Sequence, residues 1–165
     1  MSSRWKPSVT VAAIIESEGR FLLVEEQMPG GLMLNNPAGH LDEGESPLEG
    51  VVRETLEETT RAFTPRSLVG VYVSRFHREN GDGIEDVTYL RFAYEGTVGE
   101  PDAARQLDTG IVRTVWMTPD EIRASRERHR SPLVINCIED YVAGKRYPLA
   151  VVTAHPSVYA PIVSR

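Results

Sequence analysis

The stretch GHLDEGESPLEGVVRETLEETT, residues 39–60, decides the fold of this chain. Ser46, Pro47, Leu48 and Glu49 form a capping box: the Ser46 hydroxyl can accept from the backbone of Glu49, whose carboxylate can reach back, and proline suits the first helical position. A helix over residues 46–60 follows. Leu48, Val52, Thr55 and Thr59 then fall at the i, i+4, i+7, i+11 spacing of one buried stripe, with Val51 beside it. At 100° per residue, Glu54, Glu57 and Glu58 share about 100° of arc on a different face. Like charges three and four residues apart destabilise a helix by a few tenths of a kcal/mol per pair, so something is expected to offset them. Mg²⁺ is the economical partner, because it prefers carboxylate oxygen and commonly bridges protein carboxylates to substrate phosphates; Mn²⁺ can substitute. A solvated acidic face is the alternative for an isolated Glu-rich helix.

The flanking spacing decides between these. From Gly39 five residues lead to Glu45, seven more to Arg53 and Glu54, and two more to Glu57 and Glu58. Together with Pro37, Ala38 and Gly39, this resembles the box of the Nudix family, in which a glycine, a glutamate and an Arg-Glu-x-x-Glu-Glu group recur at the same offsets. Two positions depart from the family pattern: Thr55 replaces an apolar residue, and Thr60 replaces a glycine at the helix C-terminus. The resemblance implies that Glu54 and Glu58 are metal ligands, with Glu57 a further ligand or the base acting on water. It also implies that Arg53 pairs with Glu45 to brace loop against helix, and that a backbone carbonyl near Ala38 or Gly39 completes the metal's shell.

Outward from the helix, residues 9–15 and 21–24 are apolar runs around a turn at Gly19 and are predicted strands. Neither alternates cleanly, which favours a sheet covered on both faces. Residues 27–36 are expected to be loop, and residues 67–76, 87–94 and 111–117 extended. Residues 77–86 are expected to form a hairpin or flexible loop over a site. Thr118, Pro119, Asp120 and Glu121 start a short helix, and Ser131 and Pro132 a second, through about Tyr141 and ended by Gly144. The fold class is therefore α/β, and the resemblance implies a Nudix-type α/β/α sandwich with a mixed β-sheet. Residues 1–165 are expected to be one domain, with a core at about 8–145. The apolar tail, residues 147–165, could pack on the core, cover a sheet edge or contact a second subunit.

The formal net charge is −6, and residues 42–58 hold seven acids and one base, so the whole excess lies in that segment. This disfavours nucleic acid as a partner, and the Nudix resemblance implies a small phosphorylated molecule instead. No apolar run approaches the roughly 20 residues of a membrane span, and residues 1–7 lack a signal-peptide core, so a cytoplasmic protein is expected, as monomer or homodimer. Cys137, the single cysteine, lies in an apolar setting that suits a buried thiol rather than a nucleophile.

Within the Nudix family, the stretches 39–41 and 53–59 are similar to the NudJ-type phosphatase subgroup. So are Trp116 to Glu121, Arg130 to Pro132, Asp140 with Tyr141, and Lys145 to Pro148. This implies metal-assisted hydrolysis of phosphoanhydrides in nucleoside di- and triphosphates and in thiamine-pathway pyrimidine pyrophosphates. A nucleotide sugar or dinucleoside polyphosphate is the alternative substrate, and a Nudix-fold sensor without turnover the alternative class. Candidate substrate contacts outside the box are His40, Arg75, His77, Arg91 and Asp108. Each has a plainer reading, as a loop cap, a solvated strand residue or, for Asp108, a turn residue. Tyr72, Phe76, Tyr89 and Tyr94 could stack on a base or simply pack in the core.

Overall fold

The computed structural model describes residues 4–80 and 83–161, with the backbone alone at 78–80. Strand β1 (Ser8–Ser17) turns through Glu18 and Gly19, both at positive φ, into β2 (Arg20–Met28). That is the two-residue turn whose twist suits a hairpin. Only Glu16 with Phe21 and Ser17 with Arg20 pair across it, after which the strands diverge. β1 lies between β4 (Ala38–His40), antiparallel, and β6 (Gly83–Val98), parallel; β6 in turn pairs with β5 (Phe63–Asn80). β2 lies between β3 (Gly31–Asn35) and β7 (Ile111–Met117). The seven strands form one mixed sheet.

Helices cover both faces, as a sheet without polar alternation requires. Val11, Ala13 and Ile15 of β1 join a cluster with Val51 of helix α1 (Pro47–Thr59), while Ala12 and Ile14 face Ile122 of α2 (Pro119–Ala124) and residues 133–138 of α3 (Leu133–Val142). The expected α/β/α sandwich is thus observed. Capping boxes are present at Ser46 and at Thr118, and Gly144 (φ 84°) follows the end of α3.

Two expectations change. Residues 27–36 are not loop: β2 and β3 form a hairpin whose ladder runs from Val24 with Asn35 to Met28 with Gly31, because Pro29 and Gly30 suffice as its turn. Residues 77–86 take the hairpin alternative, continuing the β5–β6 ladder with His77 opposite Asp86 and Asn80 opposite Gly83; residues 81–82 lie outside the described residues. The buried side of α1 is also rotated from the expected stripe. Val51, Thr55 and Thr59 are buried as anticipated, but Glu54 and Glu58 are buried with them, and Leu48 and Val52 only partly. Thr55 and Thr59 satisfy their hydroxyls on the carbonyls of Val51 and Thr55, 2.7 and 2.6 Å away. Thr60 occupies the left-handed conformation (φ 58°) of the helix C-cap, where the family pattern has glycine, so the helix ends in the same place at the cost of local strain.

The tail packs on the core and covers part of an edge. Tyr147 exchanges both backbone hydrogen bonds with Leu68 of β5, Leu149 and Val152 pack on the α1 side of the core, and the Tyr159 hydroxyl donates to Glu49 at 2.9 Å. Residues 162–165 lie outside the described residues.

Candidate active site

β4 is only three residues long, yet its pairing with β1 lays Ala38 and Gly39 against the C-terminal half of α1. The Ala38 amide donates to Glu58 Oε2 at 2.8 Å. A Cβ on Gly39 would fall inside the Glu54 carboxylate, so only glycine lets strand and helix approach this closely. Gly39→Ala is therefore expected to leave a folded protein, about 1–3 kcal/mol less stable from overpacking, with activity at least tenfold lower because Glu54 is displaced. Circular dichroism and steady-state rates check this, and wild-type turnover would mean that the Glu54 position does not matter.

Arg53 organises the loop before the helix. Its Nε and Nη2 donate to the two oxygens of Glu45 at 3.0 and 2.7 Å, and Nη2 also to the His40 carbonyl at 3.0 Å. Nη1 donates to Glu54 Oε1 at 2.8 Å and to Glu57 Oε2 at 3.2 Å. Glu45 also accepts from the Asp42 amide. The guanidinium holds the Glu45 carboxyl below its usual range, and Glu45 in turn raises Arg53.

Burial acts the other way on the helix carboxyls. Desolvation raises Glu54 against the opposing pull of Arg53, and it pushes Glu58 up to about 9. The Ala38 amide works against that rise, whereas the charges of Glu26, Glu54 and Asp108 add to it. A carboxyl so placed needs a cation beside it to stay ionised near neutral pH.

Beside Gly39 lies a cavity of about 220 Å³ lined on one wall by His40, Tyr89 and Phe76 and on others by Arg91, Asn35 and Glu26. The Phe76 and Tyr89 rings stack at 5.2 Å and 15°, with His40 5.8 Å from Tyr89. Of the candidate contacts, His40 and Arg91 face this cavity. Arg75 and His77 do not line it, because strand alternation directs Ser74 and Phe76 there; Arg75 instead pairs with Asp86, and His77 lies 3.9 Å from the same carboxylate. Asp108 borders a separate cleft beside Glu57, its amide donating to the Glu57 carbonyl at 2.9 Å, with its charge felt by Glu58. Tyr72 and Tyr94 do not line the cavity either. Glu26 and Asn35 were missed from sequence. Two acids closing the apolar run of residues 21–24 are a faint signal, but only the β2–β3 pairing shows where they lie.

A NUDIX domain model matches residues 4–136. The chain belongs to the Nudix family. Phosphatase NudJ of Escherichia coli K12 is 34% identical over 148 residues, 90% of this chain and 92% of that protein. A NUDIX hydrolase structure from Nitrosomonas europaea is 51% identical, with a TM-score of 0.79, covering 91% of this chain and 98% of that one. An ADP-ribose pyrophosphatase from Streptococcus suis superposes with a TM-score of 0.59 at 18% identity, over 82% of this chain and 92% of that one, a likeness of fold alone. This Nudix protein is a phosphohydrolase that acts on small phosphorylated substrates. No helix among the described residues is long and apolar enough to cross a membrane.

Nudix hydrolases generally use divalent metals, and the donor set here suits one. Among the described residues no three acidic, His or Cys side chains are already gathered at metal-ligand spacing, since Arg53 holds Glu54 and Glu57. The chemistry nevertheless fits a hard cation: the donors are all oxygen, Gly39 leaves room at Glu54, and Glu58 is a buried carboxyl that lacks a counter-charge of its own.

Proposed function

We propose that this Nudix hydrolase is a magnesium-dependent phosphatase that removes a terminal phosphate from nucleoside di- and triphosphates and from pyrimidine pyrophosphates of the thiamine type. The observation that carries this reading is that Ala38 and Gly39, which adjoin the carboxylates of Glu58 and Glu54, also line a small aromatic-walled cavity. The similarity to Phosphatase NudJ over most of both chains supports a phosphatase activity. In this reading the whole chain, residues 1–165, acts as one domain in the cytoplasm.

Glu54 and Glu58 would hold the cation, with the Gly39 carbonyl as a further donor and Glu57 as either a third ligand or the general base. Mn²⁺ can replace Mg²⁺ in such an oxygen site. When bound, the cation supplies activation of water and neutralisation of charge on the anhydride oxygens. The Ala38 amide fixes one oxygen of Glu58, so the carboxylate is oriented before substrate arrives. Glu45 and Arg53 keep the loop against the helix, and the cavity wall orients the organic group so that the diphosphate projects toward the carboxylates.

Cavity size separates substrate classes. Pockets for drug-sized ligands run from about 300 to 1,000 Å³, so about 220 Å³ suits one ring system. The expected result is a kcat/KM for hydroxymethylpyrimidine pyrophosphate, thiamine pyrophosphate and nucleoside diphosphates above that for ADP-ribose or a dinucleoside polyphosphate, with inorganic phosphate released. Rates with Mg²⁺ and separate detection of phosphate and pyrophosphate test this. A tenfold preference, about 1.4 kcal/mol, for ADP-ribose or the dinucleotide would overturn it.

A further inference from the structure

Arg91 lies in mid-sheet on β6, opposite Thr10 of β1 and Tyr72 of β5, and is only 7% exposed. Its Nε and Nη1 have no hydrogen-bond partner among the described residues, and no carboxylate there lies within ion-pair distance of it. The thiol beside it, Cys137, is pushed up to about 11 by burial and stays neutral, so it supplies no counter-charge. A buried guanidinium with orphaned donors is costly to the fold and so calls for a use.

The same cavity holds an orphan of the opposite kind. Asn35 is 6% exposed; its Nδ2 donates to Glu26 Oε1 at 3.2 Å, while its Oδ1 accepts from nothing among the described residues. The Glu26 bond assigns the amide orientation, leaving an acceptor toward the cavity. The stacked rings of Phe76 and Tyr89 line the same cavity, a surface that suits a flat ligand.

We propose that this cavity reads the edge of a single planar heterocycle, with Arg91 donating to a ring acceptor and Asn35 Oδ1 accepting from an amino or ring N–H group. The class is a nitrogen heterocycle whose edge presents an acceptor and a donor side by side, as in an aminopyrimidine. This deepens the hydrolase reading and rests on it only for what the ring carries, since Ala38 and Gly39 line the same cavity and adjoin the carboxylates. Arg91 and Asn35 are then the residues that choose the organic group, while Glu54, Glu57 and Glu58 act on the anhydride.

The test has two arms. Calorimetry with the wild-type protein compares 4-aminopyrimidine with pyrimidine, which lacks the donor, and with aniline, which lacks the acceptor. The aminopyrimidine is expected to bind at least tenfold more tightly than either, and equal binding of all three overturns the site. Kinetically, Arg91→Met is expected to lower the kcat/KM ratio of cytidine diphosphate to methyl diphosphate at least tenfold, with a melting temperature no lower than wild type because an unpaired buried cation is removed. An equal loss on both substrates would make Arg91 a phosphate contact and overturn the proposal. If the variant does not fold, the fragment ranking decides. A protein that ranks the fragments as expected but hydrolyses neither diphosphate overturns the hydrolase reading alone. One that hydrolyses both yet binds the fragments equally overturns the ring site alone.

Discussion

Glu58→Gln is expected to lower kcat by at least about a hundredfold, roughly 2.7 kcal/mol of transition-state stabilisation, and to leave the protein folded. Glutamine keeps the shape and can still accept from the Ala38 amide, but it cannot carry the charge that a hard cation requires. A second measurement separates this electrostatic role from a packing role. Without a cation, burial pushes the Glu58 carboxyl up to about 9, against about 4.5 for an ordinary glutamate. Between those values the folded state binds more protons than the unfolded one, so the stability from this group is complete below about pH 4.5 and is lost as pH rises through about 9. Melting temperature in EDTA should accordingly fall across that window in the wild type and fall less in Glu58→Gln. Full activity in excess EDTA, or a folded Glu58→Gln protein with normal turnover, would defeat the assignment.

Glu45→Ala is expected to lower both stability and activity. Glu45 and Arg53 have side-chain exposures of 14% and 26%, so their pair lies between the exposed case, below about 1 kcal/mol, and the buried case, about 3–5 kcal/mol. Arg53 also keeps bonds to Glu54, Glu57 and the His40 carbonyl, which limits the damage. A loss of about 2 kcal/mol follows, or about 4–8 °C in a chain of this size. Arg53 holds the Glu45 carboxyl below 4.5, so its contribution is present above about pH 4.5 and lost as pH falls, and the variant should show a flatter acid limb. Differential scanning calorimetry with parallel rate measurements checks both. An unchanged melting temperature with abolished activity would place Glu45 among the groups that contact the reaction instead.

The depth of Glu54 and Glu58 shows where a helical pattern misleads. Periodicity ranks residues by side-chain polarity, so it assigned the glutamates to a face apart from the buried stripe; β4 then covers that face, and burial reverses the ordinary behaviour of Glu58. The same limit applies on the strands. Arg75, His77 and Arg91 are alike as sequence candidates, yet Arg75 and His77 face outward to Asp86 while Arg91 faces a cavity, because a period of two sends neighbours to opposite sides.

Local chemistry alone determined the capping box at Ser46 and the start of α1, and the spacing of the box, through its resemblance to the Nudix pattern, implied the pairing of Arg53 with Glu45; the requirement for glycine at position 39 comes from the approach of β4 to α1. The sheet decided the rest. Glu26 and Asn35 come to the site through the β2–β3 hairpin, and Arg91 through its parallel pairing with β1, joining positions 81 residues apart at Thr10 and Arg91. Such partners are chosen by burial of the whole apolar sheet between two helical layers, a collective quantity that no short stretch of residues records.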